Sequence, residues 1–229
     1  MTFVLPTISV LGGTGKEGGG LAYRWAHAGH PIVIGSRSAE RAEATAAELK
    51  TVLPEATVSG TDNRGAAAAG DIVVLAVPYA VQQATALEVA EALAGKVLVD
   101  VTVPLAPPKV ARVNLPDGGS AVVALQRLLG DGVRVVSAFQ NISAHHLRDL
   151  DRDPGCDVLV CGDDDAACEA VVALATAARM TAWRAGPLAN SVVAEALTSV
   201  LISINRRYGI AGAGIRITGT PGETKAAGR

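Results

Sequence analysis

Ile8-Ser9-Val10-Leu11-Gly12-Gly13-Thr14-Gly15-Lys16-Glu17-Gly18 is the stretch that decides the fold. An apolar run that reads as a strand over residues 7–11 breaks into Gly13-x-Gly15-x-x-Gly18. A helix is expected directly after it, over 15–28. Strand, glycine turn and helix in that order form the opening of a βαβ unit that seats a pyrophosphate. In this reading Gly13 permits the tight turn, Gly15 lets the backbone approach the anion, and Gly18 lets the helix lie close to the strand. The first turn of the helix offers free N–H groups to the phosphates.

The same alternation continues outward. Strands are expected over 31–35, 56–60, 71–78, 97–101 and 134–138, and helices over 39–50, 81–93 and 120–129, with an alanine-rich helical turn before residue 71. Strands that are apolar throughout and separated by helices imply a parallel sheet covered on both faces. The expected fold class is therefore α/β, a Rossmann-type doubly wound sheet. After about residue 143 the pattern changes. Residues 145–153 are polar, 157–161 read as a short strand, and 165–179 and 188–207 as helices on either side of Ala185-Gly186-Pro187. Residues 1–143 are thus expected to form the dinucleotide-binding domain. Residues 144–229 are expected to form a small C-terminal α/β domain, too small to own a deep core and so packed on the first.

The tip of the second strand selects the dinucleotide. An NAD site carries Asp or Glu there, about 20 residues past the glycines, for the ribose 2′-hydroxyl. This chain reads Val33-Ile34-Gly35-Ser36-Arg37-Ser38-Ala39-Glu40-Arg41. With no carboxylate at the tip, a 2′-phosphate meets no repulsion. Ser36 can donate to it, Arg37 can clamp it or stack on the adenine, and Arg41 follows one helical turn later. Arg41 could instead pair with neighbouring glutamates on a solvated helix face. The pattern points to NADP(H).

Composition bounds the rest. The 229 residues are 49% hydrophobic and 18% charged, far too apolar for a disordered chain. A formal net charge of -2 gives no basic footprint, so neither nucleic acid nor an anionic membrane is an expected partner. No apolar run in the sequence reaches the roughly 18 residues of a spanning helix, and no signal peptide is read. Cys156, Cys161 and Cys168 lack metal-site spacing and read as idle thiols in a reducing, cytoplasmic setting. His145-His146 reads as exposed, and no metal is expected. Asp163–Asp165 reads as a helix cap.

The remaining strand ends read Ala76-Val77-Pro78, Val101-Thr102-Val103-Pro104 and Ser137-Ala138-Phe139-Gln140-Asn141-Ile142. They should face the ligand crevice, and none carries an acid–base pair. Tyr23, Tyr79 and Tyr208 lack the lysine of a Tyr-x-x-x-Lys motif. Hydride transfer between flat rings needs stacking, alignment and exclusion of water, and can proceed without such a pair. No catalytic residue is therefore assigned.

Val10-Leu11-Gly12-Gly13-Thr14-Gly15, Gly35-Ser36-Arg37, Val160-Cys161-Gly162-Asp163-Asp164 and Ala185-Gly186-Pro187-Leu188-Ala189-Asn190-Ser191 together resemble the NADPH-dependent oxidoreductases of the deazaflavin coenzyme F420. The resemblance covers nearly the whole chain. It implies a Rossmann domain and a small C-terminal domain, with the deazaflavin in a cleft between them against the nicotinamide. By that resemblance Thr14, Gly15, Lys16 and Glu17 line the phosphate loop, and Ser36, Arg37 and Arg41 hold the 2′-phosphate. Val77, beside Pro78, and Val103 flank the nicotinamide, while Gln140, Ile142, Ala144 and Ala213 lie at the ring junction. The chain departs from the family pattern at Gln140, where the family carries histidine, and at Ser143, where it carries proline; its tail beyond Ile217 is also longer.

The implied activity is hydride transfer between NADP(H) and coenzyme F420. An NADPH-dependent flavin or ferric reductase and a non-catalytic NADP(H)-binding redox sensor are the alternatives. Apolar residues 197–204 suggest a homodimer face.

Overall fold

The computed structural model describes residues 4–150 and 153–219. Residues 151 and 152 of the polar segment, and the end of the long tail, lie outside the described residues. Strands β1 (Ile8–Leu11), β2 (Ile32–Ser36), β3 (Val58–Asp62), β4 (Ile72–Leu75), β5 (Val97–Asp100), β6 (Arg134–Ser137), β7 (Val158–Gly162) and β8 (Ala182–Arg184) form one sheet. Its order is β3-β2-β1-β4-β5-β6-β7-β8. From β3 to β6 every pairing is parallel, as the apolar runs of β1, β2, β4 and β5 lead one to expect, while the edge strand β3 is largely polar. The chain winds from β1 one way to β2 and β3, and the other way to β4, β5 and β6. The crevice of such a sheet therefore lies beyond the tips of β1 and β4.

Helices α1 (Lys16–His27), α2 (Ala39–Val52), α3 (Asn63–Ala69), α4 (Gln82–Glu88), α5 (Ala90–Leu93), α6 (Ala121–Leu129), α7 (Ala144–Leu147), α8 (Asp165–Ala177) and α9 (Ser191–Tyr208) complete the fold. Side chains alternate across each strand. Ile72 and Val74 join a core with Trp25, Ala42, Leu49, Val171 and Leu174, under α1, α2 and α8. Val73 and Leu75 join the opposite core with Ala66, Ala86, Leu93, Val122 and Leu125, under α3 to α6. Each such aliphatic residue contributes about 1.5–3 kcal/mol on burial, so both faces are firmly covered.

The sheet departs from an all-parallel arrangement at β6. There β7 pairs antiparallel through Val136↔Gly162 and Ser137↔Cys161, and β8 then runs parallel to β7. Val158, Val160 and Cys168 belong to the same core as β1 and α1. Arg24 ties the two parts of the chain together. Its buried guanidinium donates to the carbonyls of His146, Leu147 and Asp149 at the α7 end and of Ala178 after α8, at 2.7–3.0 Å. The Trp25 indole adds a bond to the Leu174 carbonyl at 2.8 Å and meets the Phe139 ring edge-on.

Several elements differ from the sequence expectation. The strand expected over 71–78 stops at Leu75, so Ala76-Val77-Pro78 is loop. The helix expected over 81–93 breaks at Val89 into α4 and α5. The short β8 and α7 were not expected. The histidine pair divides: His145 is exposed, but His146 is buried, with Nε2 3.1 Å from the Gly212 carbonyl in the returning tail. Contrary to the expected lack of a spanning-length apolar stretch, Leu188–Tyr208 is long and apolar enough by length and composition to cross a membrane. Within it, however, Glu195 is buried against the start of α6. It accepts from Ser120 Oγ at 2.6 Å and from the Ala121 and Val122 amides.

Candidate functional site

The glycine loop is shaped by close approach. Gly12, rather than Gly13, takes the left-handed turn, at φ 81°. A Cβ there would run into the Ala76 carbonyl and the Val77 side chain. Gly13 is needed because a Cβ would lie 2.9 Å from the Val10 carbonyl. At Gly18 a Cβ would lie 2.8 Å from the Gly12 carbonyl and 3.0 Å from the Ala76 side chain, so this glycine does let α1 press on the strand tips. Gly15 faces open space apart from the Gly12 carbonyl at 3.2 Å. Helix α1 begins there with no side-chain cap, which leaves first-turn donors for an anion. Burial pushes the Glu17 carboxyl up to about 8. It therefore carries less negative charge beside the loop near pH 7 than an ordinary glutamate would.

At the tip of β2 the chain turns into α2. Ser38 caps that helix by accepting from the Arg41 amide at 3.3 Å and donates to Glu40 at 2.6 Å. Arg37 and Arg41 are exposed, and among the described residues neither has an ion pair. The glutamates of α2 thus leave Arg41 available, and two uncompensated guanidinium groups stand beside Ser36.

Gly12, Thr14, Gly15, Ser36, Arg37, Arg41, Val77 and Pro78 line one cleft of about 480 Å³. Ala76, at a strand end expected to face the crevice, also lines it, and sequence reasoning missed that Ser38, Asn63, Val81 and Thr85 do so too. The uncapped helix, the open face at Gly15 and the free arginines fit the phosphates of a dinucleotide. A second cleft of about 410 Å³ shares Thr14 and Gly15 and is lined as well by Lys16, Ala144, His145 and Arg148. It brings Ala144 and Lys16 to the other side of the same loop.

Other expected residues are not brought to either cleft. Val103 is half-buried after β5, and Ala213 is held by its amide on Asn205 Oδ1 at 2.7 Å. Ile142 packs in the core. Gln140, expected at the ring junction by side chain or backbone, turns its side chain inward. That side chain is buried and donates at 2.8 Å to both the Asp100 carbonyl and Ser137 Oγ. The cause is Phe139, a buried aromatic residue held at φ 72°. This uncommon backbone turn precedes the buried Gln140 side chain, whose partners lie on β5 and β6. Beside it Asp100 accepts from the Thr102 amide at 2.8 Å and from Gln82 at 2.5 Å, and burial pushes its carboxyl up to about 6. The three cysteines are buried free thiols, with Cys156 and Cys161 pushed up to about 11 by burial.

Comparison with known proteins agrees with this geometry. Residues 7–104 match the family described as NADP oxidoreductase coenzyme F420-dependent. The F420-dependent NADP reductase of Methanocaldococcus jannaschii is 42% identical over 219 residues, covering 92% of this chain and 97% of that protein. The protein of the same name from Methanothermobacter thermautotrophicus is 38% identical, covering 93% and 95%. A crystal structure from Arthrobacter sp. FB24, assigned as an F420-dependent NADP reductase, superposes with a TM-score of 0.75 at 29% identity, covering 93% of this chain and 99% of that one. A chain with this loop, this cleft and these full-length relatives belongs to the coenzyme F420-dependent NADP oxidoreductase family.

Proposed function

We propose that this protein transfers a hydride between NADP(H) and coenzyme F420. The observation that carries the reading is the 480 Å³ cleft, which the glycine loop and the unpaired Arg37 and Arg41 line together. Thr14, Gly15, Lys16 and Glu17 would seat the pyrophosphate, and Ser36, Arg37 and Arg41 the 2′-phosphate. Val77, Pro78 and Val103 would border the nicotinamide. Ala144 and Ala213 would stand on the acceptor side, with Gln140 holding the strand tips beneath. The bound pair supplies the redox chemistry, a hydride passed from one ring to the other. The protein's task is to align the rings and keep water out, which apolar residues at the strand ends can do.

Residues 1–143 would thus carry NADP(H), and residues 144–229 would complete the deazaflavin cleft. Val193, Val200 and Tyr208 leave an apolar strip of α9 exposed, which suits a homodimer contact. The buried free thiols suit a reducing cytoplasm. Purified protein mixed with NADPH and F420 should consume nicotinamide absorbance at 340 nm with a matching loss of oxidised deazaflavin. Turnover with flavin in place of the deazaflavin, or binding of NADPH without turnover of either, would overturn the reading.

A further inference from the structure

Among the described residues, buried side-chain oxygens without a hydrogen-bond partner occur at Ser9, Asn63, Gln82, Thr102, Gln140 and Asn141. Of these residues Asn63 alone lines the 480 Å³ cleft. It is 2% exposed, so water does not readily supply the missing donor. An orphaned buried acceptor is costly to keep. It calls for explanation, all the more at a binding site.

The fold places this acceptor closely. Strand β3 runs parallel to β2 with Ser36 paired to Asp62, so Asn63 follows the β3 tip beside Arg37 at the β2 tip. Neighbouring strands lie about 4.8 Å apart. Asn63 is therefore one strand across from the residues that would hold the 2′-phosphate. It does not act as the helix cap, because Asp62 fills that role by accepting from the Gly65 amide at 2.7 Å. Val81 and Thr85 close the same cleft from the other side.

We infer that Asn63 Oδ1 accepts a hydrogen bond from the adenosine half of the coenzyme and thereby helps select it. A 2′-phosphate dianion has only acceptors and cannot fill this role. The adenosine half offers two neutral donors, the 6-amino group of adenine and the ribose 3′-hydroxyl. Either would satisfy Asn63 while the arginines engage the phosphate. The inference rests on the NADP(H) reading and adds a side chain to it that no charge pattern in the sequence marks.

The test uses calorimetric titration at pH 8, where the phosphate is a dianion, and needs no acceptor or turnover. The probes are the 2′,5′-bisphosphates of adenosine, of purine riboside (which lacks the 6-amino group) and of 3′-deoxyadenosine. Wild-type protein should bind the adenosine compound about tenfold more tightly than one of the other two. A weak purine riboside compound names the amino group as donor, and a weak 3′-deoxy compound names the hydroxyl. Asn63→Ala should lose about tenfold for the adenosine compound and no longer distinguish the pair. Wild-type protein that binds all three equally overturns the inference, whatever the variant does. If none of the three binds, the NADP(H) reading of the cleft fails instead.

Discussion

Replacing Arg37 by alanine should weaken NADPH binding about tenfold and leave NADH binding nearly unchanged. A hydrogen bond between charged groups contributes about 1.5–3 kcal/mol. Arg37 is exposed, so solvent screening puts it at the lower end of that range, and about 1.4 kcal/mol corresponds to a factor of ten. Because Arg37 has no ion pair among the described residues, its removal strands no carboxylate, and the loss belongs to the coenzyme contact. Arg41→Ala should behave alike, and the double variant should lose about a hundredfold if the two act independently. The assay is nicotinamide fluorescence titration with NADPH and NADH, repeated at low and high salt. The NADPH penalty should shrink as salt rises, since ions screen exposed charges. Equal penalties for both coenzymes, or a penalty indifferent to salt, would show that the 2′-phosphate binds elsewhere.

With the Glu17 carboxyl pushed up to about 8 by burial, NADPH affinity should fall as pH rises through that range, as the growing share of carboxylate repels the phosphates; Glu17→Gln should flatten the profile, and an unchanged profile would place Glu17 away from the coenzyme. Asp100 has its folded pKa raised, from 3.8 to about 6, so its contribution to stability is full below about pH 4 and is lost as pH rises through 6. The loss is about 3 kcal/mol. Asp100→Asn should remove that slope, measured as the difference in melting temperature between the two proteins from pH 4 to 7, and parallel curves would contradict it. Arg24→Leu strands four carbonyls and should cost about 3 kcal/mol or more, lowering the melting temperature by about 10 °C. Amide exchange should then rise first around α7 and the end of α8, and a melting shift below about 2 °C would argue against the role given to Arg24.

The parallel sheet was legible because its strands are apolar on both faces and separated by helices, a pattern few other folds share. Ser36 and Arg37 were legible because a missing carboxylate at a strand tip is a chemical statement in itself. What escaped reading has physical causes. The fingerprint fits only at Gly13-x-Gly15-x-x-Gly18, and nothing in it shows that the left-handed turn falls one residue earlier, at Gly12. Helix α7 is four residues long and partly polar, and it exists because Arg24 and Gly212 hold it. No glycine or proline marks the break at Val89. Asn63 and Thr85 are ordinary residue types that come to line one cleft only once α3 and α4 are folded onto the sheet. The inward turn of the Gln140 side chain had no signal, because a left-handed phenylalanine before it leaves none in the sequence.

The antiparallel joint at Ser137 also bears on how the chain comes to be made. Everything from β3 across to β6 is encoded before residue 138, so that sheet can close while the remainder is still being synthesised. Until β7 arrives, β6 presents a bare strand edge. Until α8 arrives, Trp25 and the Arg24 guanidinium lack partners that come from Leu174 and Ala178. A nascent chain halted there would display that edge and an uncovered tryptophan together. The last two fifths of the sequence therefore serve the first three fifths as a built-in chaperone, shielding an edge and a tryptophan.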